Sequence, residues 1–130
     1  MKPAPFQYHA PKTVDETLAL LAEFADDDGR VIAGGQSLVP TMAFRLAKPK
    51  HLVDINGVSE LNYLEIKDGK LHIGAGTRHS AFEKPIDDGP LGRLLAEVVK
   101  HIAHQPIRTR GTFCGSIAHA DGSAEWSLLC

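Results

Sequence analysis

The chain has 130 residues, 43% of them hydrophobic and 23% charged, an ordinary length and composition for a globular domain with a core of its own. Its formal net charge is -2, and its fourteen Lys and Arg are scattered without a block that could track a nucleic-acid backbone, so no nucleic-acid partner is expected. No apolar run approaches the roughly 20 residues that span a bilayer, and Met1-Lys2-Pro3-Ala4-Pro5 lacks the apolar stretch of a signal peptide; a cytoplasmic protein with no transmembrane segment is expected.

In chain order, Phe6 to His9 predicts a short strand. Thr13-Val14-Asp15-Glu16 reads as a capping box, and Val14, Leu18, Leu21, Ala22 and Ala25 follow at helical spacing until Asp26-Asp27-Asp28-Gly29 ends the helix. Arg30 to Ala33 predicts a buried strand running into a Gly-Gly loop. Leu38 to Phe44 predicts a short helix with Ser37 as its N-cap, and Leu52 to Ile55 a third strand. Strand, helix, strand, helix, strand is compatible with a small parallel sheet built from crossover units.

After Asn56-Gly57 the texture changes. Tyr63 to Ile66 and Leu71 to Ile73 flank Lys67-Asp68-Gly69-Lys70, a hairpin signature that opens a second subdomain. Leu91, Leu94, Leu95, Val98, Val99 and Ile102 mark one face of a helix over three turns. Gln105 to Ala120, rich in Gly, Thr, Ser and His, reads as a functional loop leading into short strands. A last helix from near Ser123 through Trp126 and Leu129 reaches Cys130 without a cap, which reads as truncation within an element. Cys114 and Cys130 form no CxxC or Cys/His spacing and are expected as reduced thiols.

Two small-residue loops carry the functional signal. Gly34-Gly35-Gln36-Ser37 stands between a predicted strand and a predicted helix, where glycines let the backbone approach a ligand and free N–H groups favour phosphate oxygens. The same residues also suit a tight turn with a capping Ser, and they match neither GxGxxG nor GxxxxGK[ST]. Arg110-Gly111-Thr112-Phe113-Cys114-Gly115-Ser116 repeats the chemistry about eighty residues later. Two such loops could clamp one pyrophosphate.

Taken with Phe44-Arg45-Leu46-Ala47, Leu52 to Asn56, Gly74-Ala75-Gly76-Thr77-Arg78-His79, Ile102-Ala103-His104, Gly115 to Asp121 and Ala124-Glu125-Trp126, these loops resemble the flavin-carrying medium subunit of the xanthine dehydrogenase and aerobic carbon monoxide dehydrogenase family of molybdenum hydroxylases. The resemblance is collinear and covers essentially the whole chain. It implies an α+β fold, the FAD-binding fold of the vanillyl-alcohol oxidase and p-cresol methylhydroxylase type, with subdomain 1 at 1–56 and an incomplete subdomain 2 at 57–130. The family's C-terminal domain would be missing.

The implied cofactor is FAD, with molybdopterin and iron-sulfur clusters only in partner subunits, and the implied role is electron transfer to NAD, quinone or oxygen. Carried over by motif, Ile32, Ala33, Gly34, Gly35, Gln36, Ser37 and Leu38 would run along the cofactor; Thr112, Gly115, Ser116 and His119 would supply the other side. Glu125 would bind the adenosine ribose, with Asp121 a weaker candidate. No catalytic side chain and no metal site are expected, since the flavin carries the redox chemistry. His101 and His104, three apart, lack a third ligand at matching spacing.

Cys114 departs from the family's Thr-x-Gly-Gly. If its backbone needs positive φ, a Cβ costs on the order of 1 kcal/mol and flavin affinity suffers. The alternative function is therefore a truncated, non-catalytic domain that binds FAD weakly or not at all and keeps at most an assembly role.

Overall fold

The computed structural model describes residues 1–129. Three strands form a parallel sheet: β1 (Gln7–His9), β2 (Gly29–Ile32) and β3 (His51–Asp54), in the order β1-β3-β2. Tyr8 lies opposite Leu52, and Val31 opposite Val53. The central position explains why His51, Leu52 and Val53 are all buried. β2 differs from the buried strand expected there: it is a sheet edge with Val31 44% exposed, and an apolar run alone does not tell an edge from a centre.

The first crossover runs through α1 (Val14–Glu23). Thr13 Oγ1 accepts the Glu16 N–H at 3.1 Å, while the Glu16 carboxylate reaches back one residue further than in a reciprocal capping box, to the Lys12 N–H at 2.7 Å. The second crossover is α2 (Leu38–Ala43). Ser37 precedes it, but its hydroxyl makes no cap bond; only its carbonyl is used, by Thr41.

Residues beyond Gly57 pack differently. β4 (Leu64–Lys67) and β5 (Lys70–Ile73) pair antiparallel across Asp68-Gly69, both at positive φ as a tight hairpin turn requires. The long amphipathic pattern becomes α3 (Pro90–Val98), prolonged by a 3₁₀ turn over Val99–His101. Leu95, Val99 and Ile102 bury against Phe82 and Trp126, whereas Leu91 in the first turn and Leu94 at the stripe's edge remain about half exposed.

The segment expected as a loop with short strands is helical instead, forming α4 (Gln105–Arg108) and α5 (Phe113–His119). Pro106 fits the first turn of α4, and Thr112 caps α5 by accepting the Gly115 N–H at 3.1 Å. A composition rich in Gly, Ser and Thr hid these start signals, because the same residues serve turns and caps alike. The last expected helix is a 3₁₀ turn, Glu125–Leu128, and Cys130 lies outside the described residues.

Trp126, 1% exposed, anchors that turn, its ring centroid 4.8 Å from Phe113 and 5.2 Å from Phe82. Phe82→Ala should therefore lower unfolding stability by about 3–5 kcal/mol in urea titration, whereas Leu46→Ala, at a site 82% exposed, should change it by less than about 0.5 kcal/mol.

Candidate functional site

The C-terminal end of β2 and the loop before α2 face the loop before α5 across a groove of about 540 Å³. That volume is in the range of cofactor and ligand pockets. Ile32 to Leu38 line one wall; Thr112, Gly115, Ser116 and His119 line the other, and Glu125 and Asp121 also border the groove. All twelve residues singled out in the sequence thus border one cavity, although some eighty positions separate the two walls.

The walls meet where side chains are absent. A Cβ on Gly34 would stand 2.3 Å from the Arg110 carbonyl oxygen and 2.6 Å from Gly111 Cα, so nothing larger than glycine fits without moving the second loop. Gly35 has φ +69°, a conformation glycine adopts freely. Among the described residues, the N–H groups of Gly34, Gly35, Gln36 and Ser37 donate to no other protein group. The Gln36 amide folds back onto the Gly34 carbonyl at 2.9 Å, and the Ser37 hydroxyl is unspent. A close-packed glycine cradle with four unused N–H donors is the donor set that a diphosphate requires, so these residues fit a dinucleotide such as FAD.

Two side chains near the groove were not anticipated as site residues. His79 is 6% exposed, lines the groove, and accepts the Trp126 indole N–H on Nδ1 at 2.9 Å. Its backbone N–H bonds the Gly111 carbonyl at 3.0 Å, so it supports the second loop from behind. Asn56, a turn signal in the sequence, donates its side-chain amide to the Ala33 carbonyl at 2.7 Å and supports the first loop. The signal available for His79 was its place in the Thr77-Arg78-His79 motif, but nothing local paired it with Trp126, 47 residues away.

Cys114 corrects an expectation. It lies in the first turn of α5 and is not at positive φ, so its Cβ carries no left-handed strain. Its thiol turns from the groove toward the Ile73 and Gly74 carbonyls at 3.6 and 3.7 Å, where burial pushes its pKa up. Arg108 is ion-paired, donating to the Glu83 carboxylate at 2.9 Å and to the Ile102 and Ala103 carbonyls.

Residues 4–130 match the family described as the FAD binding domain in molybdopterin dehydrogenase. The chain belongs to that family. Over 129 residues it is 45% identical to the 6-hydroxypseudooxynicotine dehydrogenase complex subunit alpha of Paenarthrobacter nicotinovorans, covering 99% of this chain and 43% of the relative. It is 44% identical to the carbon monoxide dehydrogenase medium chain of Hydrogenophaga pseudoflava, covering 92% and 41%. Among solved structures, quinoline 2-oxidoreductase from Pseudomonas putida 86 superposes with a TM-score of 0.88 at 43% identity, covering 99% of this chain and 45% of the other. The chain therefore spans under half the length of these relatives. Membership bears out the α+β FAD-binding fold, and no helix among the described residues is long and apolar enough to cross a membrane.

Burial holds the His79 pKa below its ordinary value, against a smaller opposing pull from the Glu125 carboxylate. With Nδ1 accepting from Trp126, the neutral ring carries its proton on Nε2; a second proton would have to go onto Nδ1 and would break that bond. The unfolded chain takes up this proton more readily, so the stabilisation is complete above about pH 6.5 and is lost as the pH falls below it. His79→Gln, which can still accept from Trp126 but does not titrate, should flatten the fall in urea midpoint between about pH 7 and 5. Equal slopes in the two proteins would contradict this assignment.

Proposed function

We propose that the chain is the FAD-binding part of the medium subunit of a molybdenum hydroxylase, passing electrons from iron-sulfur clusters in one partner subunit, reduced by a molybdopterin subunit, to NAD, quinone or oxygen. The observation that carries the reading is the groove itself, in which the Gly34 to Ser37 cradle and the Thr112 to Ser116 segment face one another. The flavin, when bound, supplies the two-electron to one-electron interconversion, and the protein supplies binding and orientation.

In this reading, subdomain 1 (1–56) contributes the N–H groups of Gly34 to Ser37 and the Ser37 hydroxyl to the pyrophosphate, with Ile32, Ala33 and Leu38 packing along the cofactor. Subdomain 2 (57–130) contributes the Thr112 and Ser116 hydroxyls, the open face at Gly115, and His119. Glu125 accepts hydrogen bonds from the adenosine ribose. Its neighbour Trp126 is held by Phe82, Phe113 and His79, which fixes where the Glu125 backbone starts. A cytoplasmic setting accords with this role.

Purified protein should keep absorption bands near about 370 and 450 nm after desalting, as bound flavin does, and Gly34→Ala should lose them by displacing the second loop. Colourless protein that takes up no added FAD would overturn the proposal. Cys114→Ala should leave the FAD Kd unchanged within about twofold in fluorescence titration, because the thiol faces away from the groove.

A further inference from the structure

The Thr77-Arg78-His79 motif supplies no predicted cofactor contact, yet its middle residue reaches both walls of the groove indirectly. One Arg78 guanidinium nitrogen donates to the Arg110 carbonyl, in the backbone against which Gly34 packs. The other donates to Asn56 Oδ1 at 2.6 Å, and the same Asn56 side chain donates through Nδ2 to the Ala33 carbonyl at 2.7 Å. A continuous strut, Ala33 to Asn56 to Arg78 to Arg110, therefore ties the first loop to the second outside the groove.

The same Asn56 amide, and its backbone N–H, also donate to the Asp54 carboxylate, which anchors the strut on the end of β3. Arg78 itself forms no ion pair with a carboxylate among the described residues, so its guanidinium is held by the Arg110 carbonyl and Asn56 Oδ1.

We infer that Arg78 is a positioning residue for the dinucleotide: through Asn56 it fixes the spacing of the two loops that receive the pyrophosphate. The inference rests on the FAD-binding reading above. It requires no contact between Arg78 and the cofactor. Its energetic logic is preorganisation, since loops already held at the bound spacing lose less freedom when the ligand arrives.

The test is FAD titration of the wild-type chain, Arg78→Gln, Asn56→Ala, the double variant and Arg78→Lys, with thermal midpoints and amide hydrogen exchange of the ligand-free proteins measured alongside. Arg78→Gln and Asn56→Ala should each weaken FAD by about tenfold, the size expected for losing a charge-assisted hydrogen bond, and the double variant should be scarcely worse than either. Arg78→Lys, which keeps the charge and can hold one carbonyl, should recover part of the loss. Exchange should quicken at Val39 and Thr41, whose N–H groups bond the Gly35 and Ser37 carbonyls, and at Arg110 and Gly111 together, and not at Val53 or Val99 in the cores.

Wild-type affinity in both single variants would overturn the strut while leaving the FAD reading intact. Additive losses, or unfolding of both variants, would assign Arg78 and Asn56 separate or purely structural roles. A wild-type chain that binds no FAD would overturn the functional reading and this inference with it.

Discussion

The structure turns on the close approach of Gly34 to the Arg110-Gly111 backbone. A sheet with its crossover helices on one side, and a hairpin with helices on the other, must touch somewhere for a groove to exist between them. They touch where one partner has no side chain. Because that contact is backbone against backbone, the walls of the groove stand close together, and the N–H groups of Gly34 to Ser37 donate to no other protein group among the described residues.

Much of the surrounding architecture serves to hold that contact. Asn56, at the end of the central strand, takes the Ala33 carbonyl; His79 takes the Gly111 carbonyl through its backbone N–H and is itself fixed by the Trp126 indole. The Phe82, Phe113 and Trp126 cluster is thus both the core of the second half and the footing of the second loop, since Phe113 opens α5 and its N–H bonds the Thr77 carbonyl. Stability and the shape of the groove share the same residues here, so a change in the aromatic cluster alters both.

The strand and helix order of the first 55 residues was legible because each element carries its own period or cap, and the hairpin because Asp68-Gly69 announces its turn. The twelve candidate residues were legible only through the collinear family resemblance; by their own chemistry Gly34 to Ser37 suit a plain turn equally well. What misled was local ambiguity. Thr112 looks like loop until its bond to the Gly115 N–H is seen, and Cys114 looks strained until its helical backbone is known.

The sequence alone determined the element order of the first 55 residues, the hairpin, the family and twelve of the residues that border the groove, because periodicity, capping and motif order are written in neighbouring residues. Only the tertiary structure decided that β2 is an edge, that Cys114 faces away from the groove, that Arg78 and Asn56 stand behind its walls, and that His79 lines it. The physical reason is separation along the chain: Ala33 and Asn56 lie 23 residues apart, Arg78 and Arg110 32, His79 and Trp126 47. No local pattern records a hydrogen bond that forms only once both partners have been carried to the same place by the packing of everything between them.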